Sequence, residues 1–244
     1  MMKLLSIGNS FSQDAQEWLH QIAVANGVDL ETTNLMIGGC SLETHWSHVL
    51  DKQAEYYLEQ NGKSMDRMVT IDEGLELEEW DVITVQQASH YSGQPQTYVP
   101  YLTDLVAYVR EKCPNAKIYF HQTWAYEIDS DHGGFLNYNR DQGEMYRRIC
   151  DCAEMAKRAI DATILPSGPV VQYLRENAPE FDYKNGALSL NRDGFHLSWE
   201  YGRYAAAATW YKVLTGKVPA VNAFPDWDAH LIDVIHAAVD TVVQ

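Results

Sequence analysis

Short apolar runs alternate along the chain with longer stretches whose apolar residues recur at helical spacing. The apolar runs predict strands at Leu4–Ile7, Thr32–Ile37, Asp81–Val85, Lys117–Phe120 and Ala162–Leu165. The amphipathic stretches predict helices at Gln13–Asn26, Leu42–Glu59, Tyr98–Lys112, Tyr138–Ala159 and Trp199–Leu214. Nearly continuous apolar strands that alternate with helices are typical of a parallel sheet covered on both faces. The pattern therefore predicts an α/β protein with three layers, α/β/α.

One segment departs from this alternation. Asn61 to Gly74 is rich in turn residues and contains the β-prone run Met68–Ile71, which predicts a hairpin insertion. A lid and a subunit contact are both open as its role. The rest of the chain has no internal repeat, low-complexity segment or linker, so residues 1–244 are expected to form a single domain.

Charge and composition narrow the classes of function. The formal net charge is −16, which excludes nucleic acid as a partner and disfavours anionic membrane surfaces. No apolar run approaches the roughly 20 residues that a membrane span needs, and no signal peptide follows Met1, so we expect a cytoplasmic protein. The four cysteines lack C-x-x-C spacing and are expected to be free thiols.

Polar clusters follow four of the predicted strands. They are Gly8-Asn9-Ser10, Gly38-Gly39-Cys40-Ser41, Gln86-Gln87-Ala88-Ser89-His90 and His121-Gln122-Thr123-Trp124. Ligands of open parallel sheets bind beyond the carboxyl ends of the strands, so these loops are expected to form one site. A fifth loop adds Asp193 and His196, which are spaced so that the carboxylate can orient the imidazole.

A serine at a strand end and a histidine held by an acid are the groups that nucleophilic hydrolysis requires. Ser10 would be the nucleophile, His196 the general base and Asp193 its orienting acid. The alternatives are structural: Ser10 or Ser12 as a helix N-cap, Asp193 as a turn residue and His196 as a surface histidine.

These residues resemble the SGNH/GDSL hydrolase superfamily, a flavodoxin-like α/β/α fold of esterases and lipases. Gly8-Asn9-Ser10 is similar to the Gly-Asp-Ser block of that superfamily, and Asp193-Gly194-Phe195-His196 is similar to its D-x-x-H block. The resemblance implies the same three catalytic roles for Ser10, Asp193 and His196. It also implies that the backbone N–H of Gly39 helps to form the oxyanion hole.

The chain departs from the family pattern in two places. Asn9 replaces the aspartate of the first block, and Gln86-Gln87 replace the usual Gly-x-Asn-Asp after the third strand. A glutamine amide offers the same N–H donor as asparagine, so we expect Gln87 in the oxyanion hole, with Gln86 as the alternative. It is also open that both amides only satisfy backbone groups.

A planar amide and an aromatic face suit a sugar ring or an acyl group. We therefore expect the substrate pocket to be lined by Gln86, His121, Gln122 and Trp124, the alternative being that they pack at strand ends. His45 and His48 lie three residues apart but lack a third ligand, so no metal site is expected, and the chemistry needs no cofactor.

The sequence thus predicts a metal-independent serine esterase that acts on small acyl esters through an acyl-enzyme. Its polar and aromatic loops favour O-acetyl groups on carbohydrates, so the expected partner is a small-molecule or carbohydrate ester. Two alternatives stay open: a lipase or thioesterase, and an inactive carbohydrate-binding module on the same fold, which the altered third block would favour. The oligomeric state is not predicted.

Overall fold

A seven-stranded, mostly parallel sheet forms the centre of the protein in a computed structural model, which describes residues 1–244. The strands are β1 (Met2–Gly8), β2 (Leu30–Met36), β3 (Tyr56–Gln60), β4 (Lys63–Val69), β5 (Val82–Val85), β6 (Lys117–His121) and β7 (Thr163–Leu165). Their order is β4-β3-β2-β1-β5-β6-β7. Strands β2, β1, β5, β6 and β7 are parallel to one another. At one edge of the sheet, β3 pairs antiparallel with β2, and β4 pairs antiparallel with β3.

Strand β1 lies at the point where the strand order reverses. It pairs with β2 on one side, where Leu4 faces Thr32, and with β5 on the other, where Leu4 faces Val82. Connections that leave a parallel sheet in opposite directions open a crevice at the carboxyl ends of the two neighbouring strands. The segment that follows Gly8 therefore enters the position where α/β folds of this kind bind ligands.

Helices cover both faces of the sheet. They are α1 (Ser10–Gln16), α2 (Leu19–Ala25), α3 (Leu42–Asp51), α4 (Ile71–Glu76), α5 (Tyr101–Lys112), α6 (Gln142–Ile160), α7 (Ser167–Asn177), α8 (Tyr201–Thr215) and α9 (Ala229–Val242). One core contains α1, α2, α7, α8 and α9, the other contains α3, α4 and α5, and α6 contributes to both. Alternate residues of β1 serve opposite faces: Leu4 packs in the first core, and Leu5 and Ile7 pack in the second. The α/β/α prediction is confirmed.

The prediction of a single helix from Leu42 to Glu59 is wrong in its second half. Helix α3 ends at Asp51, and Lys52 adopts a left-handed backbone with φ of 52°. The aromatic and apolar residues that follow form β3, which pairs with β4 as a hairpin. The predicted hairpin thus exists but begins earlier, and Ile71–Glu76 is helical because Thr70 and Glu73 form a capping box.

Other boundaries also differ from the periodicity. The stretch Gln13–Asn26 is divided between α1 and α2. The long helix α6 begins at Gln142, where the Asp141 side chain caps it, and Gly133–Tyr138 forms a 3-10 helix instead. Helices α7 and α9 were not predicted. None of the helices is both long enough and apolar enough to traverse a bilayer, and all four cysteines are free.

His45, on α3, is a core residue. Its side chain is fully buried, its Nδ1 lies 2.9 Å from the Tyr56 hydroxyl, and the two rings stack with centroids 5.7 Å apart. Burial and, to a smaller extent, nearby His48 lower the pKa of His45 to about 3. The imidazole is therefore neutral in the folded protein over a pH range in which it is charged in the unfolded chain.

This difference predicts acid sensitivity with a measurable slope. Between pH 6.5 and about 3 the unfolded chain binds a proton at residue 45 that the folded protein does not bind. The free energy of unfolding should therefore fall as the pH falls, with His45 contributing about 1.4 kcal/mol per pH unit. In His45→Gln, urea unfolding measured from pH 6 to pH 4 should give a slope that is shallower by about this amount. Parallel stability curves for the two proteins would contradict the prediction, whatever the offset between them.

Candidate active site

The structure brings Ser10, His196 and Asp193 into one hydrogen-bonded chain. Ser10 is the first residue of α1, directly after β1, and its Oγ lies 2.9 Å from His196 Nε2. His196 Nδ1 lies 2.8 Å from Asp193 Oδ2. Because a carboxylate only accepts, the neutral imidazole carries its proton on Nδ1, and Nε2 is free to accept the Ser10 hydroxyl proton. This is the arrangement of a nucleophile, a base and an orienting acid.

The turn that carries the acid and the base contains hydrogen bonds between the Asp193 side chain and its own backbone. Asp193 Oδ1 accepts the N–H groups of Phe195 and His196 at 3.2 and 2.8 Å. Gly194 adopts φ of +82°, and a Cβ there would lie 3.0 Å from Ser130 Cα, so a side chain is disfavoured twice over. Partial burial raises the pKa of Asp193, but the hydrogen bonds from His196 and Phe195 outweigh it, and the net pKa is lowered. The carboxylate is thus held in its charged form.

The backbone N–H groups of Ser10 and Gly39 are among those of the two loops that have no acceptor in the protein. Gly39 has φ of +66°, a conformation that glycine adopts without strain. Its loop is tied to the serine loop because Asn9 Nδ2 donates to the Cys40 carbonyl at 3.0 Å. These N–H groups are therefore available donors for an oxyanion.

Asn9 belongs to a buried chain of neutral hydrogen bonds beneath the serine. Its Oδ1 accepts from the Phe11 N–H at 3.0 Å and from Gln86 Nε2 at 2.6 Å. Gln86 Oε1 lies 2.7 Å from His121 Nδ1. From α8 to the Gly39 loop, the successive members of the chain are Trp210, Ser167, His121, Gln86, Asn9 and Cys40.

His121 is neutral within this chain. Burial lowers its pKa to about 3. Since an amide oxygen only accepts, His121 carries its proton on Nδ1 and donates to Gln86, and its Nε2 accepts the Ser167 hydroxyl proton at 3.0 Å. Ser167 in turn accepts from Trp210 Nε1 at 3.0 Å. Each buried polar side-chain atom in this series of hydrogen bonds has a partner. The loop after β1 is therefore held in one position by the residues beneath it.

The expected oxyanion role of Gln87 is not met in this structure. Its side chain is buried, and Nε2 donates to the Thr97 carbonyl and hydroxyl at 2.9 and 3.0 Å. Its Oε1 accepts the N–H groups of Leu42 and Ala88. The amide therefore binds the loops on either side of it, which is the structural alternative stated for the glutamine pair.

The expected substrate-lining residues are buried as well. Gln86, His121, Gln122 and Trp124 are all at most 7% exposed. Trp124 stacks on Phe11 with centroids 4.2 Å apart and donates from Nε1 to the Phe195 carbonyl at 2.7 Å. It thus links the helix of Ser10 to the turn of His196. Gln122 donates to Cys150 Sγ at 3.3 Å. None of the four therefore lines an open pocket: Gln86, His121 and Trp124 contact residues that hold the site, and Gln122 contacts α6.

A small polar cavity adjoins the Gly39 loop. Its volume is about 220 Å³, and its lining consists of Ser41, Glu43, Gln87, Tyr91, Gln96, Thr97 and Tyr101. Tyr101 donates its hydroxyl to Glu43 at 2.8 Å. Such a surface offers hydroxyl, amide and carboxylate groups beside two aromatic rings. No cluster of three or more His, Cys, Asp or Glu side chains could hold a metal ion.

Two contributors were missed at the sequence level. Asn9 was noted only as a departure from the family pattern, although it binds three loops together. Asp14 was not singled out, yet its fully buried carboxylate accepts hydrogen bonds from residues on both sides of the Asp193–His196 turn. Its only signal in the sequence was its spacing of four residues, about one helical turn, from Ser10.

Comparisons with known proteins agree with the fold. The model of the DUF4886 family, a domain of unknown function, matches residues 3–231. A DUF4886 family protein from Bacteroides uniformis is 35% identical, with a TM-score of 0.89, and the match covers 99% of this chain and 94% of that one. A comparison with curated proteins finds no match.

More distant structures place the fold among the SGNH and GDSL-like hydrolases. A candidate SGNH hydrolase from Slackia heliotrinireducens is 18% identical, with a TM-score of 0.58 over 87% of this chain and 98% of its own. A lipase/acylhydrolase from Enterococcus faecalis is 12% identical, with a TM-score of 0.56 over 91% of this chain and 100% of its own. At these identities the likeness concerns the fold.

The environment of Asn9 predicts that aspartate cannot replace it here. In Asn9→Asp the Nδ2 donor is lost, and a carboxylate oxygen faces the Cys40 carbonyl without a hydrogen bond. We expect a loss of about 1–3 kcal/mol in the free energy of unfolding, measured with urea.

Asn177→Asp is the matched control, because Asn177 Nδ2 also donates to a backbone carbonyl at 3.0 Å but is exposed. That variant should stay within about 0.5 kcal/mol of the wild type. Equal losses at residues 9 and 177 would show that the buried network does not depend on the Asn9 amide.

Proposed function

The chain belongs to the DUF4886 family, and we propose that it is a serine hydrolase that cleaves small acyl esters. The supporting observation is the hydrogen-bonded chain from Ser10 through His196 to Asp193, with distances of 2.9 and 2.8 Å. A serine hydroxyl is a weak nucleophile on its own and attacks only when a base removes its proton. In this proposal His196 is that base, and the fold is similar to that of known hydrolases.

The first half of the reaction forms an acyl-enzyme. Ser10 Oγ bonds to the ester carbonyl carbon while its proton passes to His196 Nε2, and the carbonyl electron pair moves onto the oxygen. In this proposal the N–H groups of Ser10 and Gly39 donate to that oxyanion. The pair then returns, the bond to the alcohol oxygen breaks, and the alcohol leaves with the proton from His196.

The second half repeats these steps with water. His196 takes a proton from a water molecule, whose oxygen bonds to the acyl carbon, and Ser10 leaves with that proton as the carboxylic acid is released. Asp193 stabilises the imidazolium that forms in each half and keeps its ring oriented. No step requires a metal or an organic cofactor.

The polar cavity beside the Gly39 loop supports a short acyl group and a hydroxyl-rich alcohol. Its seven lining residues include two tyrosines and no aliphatic side chain, so it offers no groove for a long alkyl chain. Small-molecule sites combine aromatic side chains with a few placed polar groups, and hydroxyl, amide and carboxylate groups can hydrogen-bond to the hydroxyls of a sugar. We therefore propose O-acetyl groups on carbohydrates as the substrate class.

Removal of the nucleophile tests the proposed chemistry. Ser10→Ala should lower the hydrolysis of p-nitrophenyl acetate by at least about a thousandfold, because no other group can form the acyl-enzyme. A fluorophosphonate probe should label the wild type at Ser10 and leave the variant unlabelled. Ser12→Ala, which changes the other serine of this segment, should still be labelled. Hydrolysis that survives in Ser10→Ala would refute the proposal, and absence of labelling in the wild type would favour a binding module.

A second measurement tests the size of the acyl group. The wild type should hydrolyse p-nitrophenyl acetate with a higher kcat/KM than p-nitrophenyl octanoate, since the cavity is small and has no aliphatic side chain against which an octanoyl chain could pack. It should also release acetate from acetylated oligosaccharides, and Ser10→Ala should not. A preference for octanoate would contradict the proposed substrate and favour a lipase or thioesterase.

A further inference from the structure

Asp14 is a fully buried carboxylate on the same helix as Ser10. It lies four residues after the serine, so the two side chains emerge from the same side of α1. Its Oδ2 accepts the backbone N–H of Leu197 at 2.8 Å. Its Oδ1 accepts hydrogen bonds from Arg192 Nη1 at 3.0 Å and from Arg203 Nε at 2.8 Å.

Two of these donors lie on either side of Asp193 and His196 in the sequence. Arg192 directly precedes Asp193, and Leu197 directly follows His196. Arg192 also donates to the carbonyl of Leu197, and its backbone N–H donates to the His196 carbonyl at 3.0 Å, which closes the turn on itself. One carboxylate therefore holds both ends of the turn against the helix that carries the serine.

The third donor fixes the carboxylate itself. Arg203 comes from α8 and is 4% exposed, and its Nη1 also pairs with Glu17 at 2.9 Å. The exposed ring of Trp199 lies 4.3 Å from the guanidinium of Arg192 and 4.2 Å from that of Arg203. A buried carboxylate is stable only when it is paired and hydrogen-bonded, and here two guanidinium groups and one amide meet that need.

We propose that Asp14 is a positioning residue for catalysis, which sets the distance between His196 and Ser10 without contacting the substrate. This inference rests on the proposed function. The Ser10–His196 contact joins residues 186 positions apart in the chain, and no strand of the sheet carries His196. Asp14 supplies the connection that the sheet does not provide. A shift of about 1 Å between reacting groups is enough to cost a large factor in rate.

The test compares two isosteric variants of the same ion cluster. Asp14→Asn keeps an acceptor for Leu197 but loses the charge that binds both guanidinium groups. Glu17→Gln is the matched control, because it also loses a partner of Arg203 but makes no contact with the turn. We expect fluorophosphonate labelling of Ser10 to slow by at least about tenfold in Asp14→Asn, with kcat for p-nitrophenyl acetate reduced and KM unchanged. Glu17→Gln should stay within about twofold of the wild type.

A second readout needs no substrate. The proton on His196 Nδ1, hydrogen-bonded to Asp193, should give a downfield proton NMR resonance in the wild type and in Glu17→Gln. In Asp14→Asn the charge that holds Arg192 against α1 is lost, so the turn should move more freely and its Nδ1 proton should exchange faster with solvent; that resonance should broaden or disappear while the circular dichroism spectrum stays unchanged. A general loss of packing would change the spectrum as well, so the two readouts separate positioning from stability.

The outcomes distinguish this inference from the proposed function. Labelling and resonance at wild-type levels in Asp14→Asn would overturn the positioning role and leave the hydrolase proposal intact. If the wild type is not labelled at all, the proposed function fails, and the resonance alone decides the role of Asp14. If Asp14→Asn does not fold, Arg192→Met serves instead, because it removes the contact between residue 192 and Asp14 and keeps the contacts of Asp14 with Leu197 and Arg203. Labelling of that variant should slow by about threefold, and an unchanged rate would overturn the inference.

Discussion

The site depends on one contact between distant parts of the chain, the 2.9 Å approach of Ser10 Oγ to His196 Nε2. The two partners are held in different ways. Ser10 follows the central strand at the point where the strand order reverses, so the sheet itself fixes its place. His196 lies in a turn outside the sheet, and besides a backbone hydrogen bond from Glu127 to the Gly194 carbonyl, side chains hold it near the serine. Trp124 does so by stacking on Phe11 and binding the Phe195 carbonyl, and Asp14 does so through the residues on both sides of the turn.

The two departures from the SGNH/GDSL sequence pattern are one structural change. Asn9 stands where the family has aspartate, and Gln86 stands in the altered block after β5. In the structure these side chains are partners, with Gln86 Nε2 donating to Asn9 Oδ1 at 2.6 Å. Asn9 must also donate to the Cys40 carbonyl, which a carboxylate cannot do. The Asn9 amide therefore donates to one loop and accepts from Gln86 on another, and Gln86 Oε1 accepts the N–H of His121.

Local patterns in the sequence predicted the parts of the fold and site that depend on local chemistry. The parallel strands, the polar loops at their ends and the spacing of Asp193 and His196 all follow from neighbours in the chain. What could not be predicted depends on partners far away in sequence. The residues after Lys52 form a strand because β2 and β4 pair with them, and His121 and Trp124 are buried because Ser167 and Phe11 lie above and beside them. The amide of Gln87 was assigned by its type, but its neighbour Thr97 determines its use.

The neutrality of the buried chain has a consequence for how charge would be stabilised during catalysis. Burial lowers the pKa of His121 to about 3, so no cation lies in this chain beneath the serine, and Asn9 in place of aspartate adds no anion there. In the proposed reaction a developing oxyanion would therefore gain no charge stabilisation from this hydrogen-bonded chain, and we propose that it depends on the backbone donors of Ser10 and Gly39. Dipoles act only at short range and in the right direction, so the position of the Gly39 loop must be fixed closely. The hydrogen bond from Asn9 to the Cys40 carbonyl fixes it, which ties the identity of residue 9 to the chemistry at residue 10.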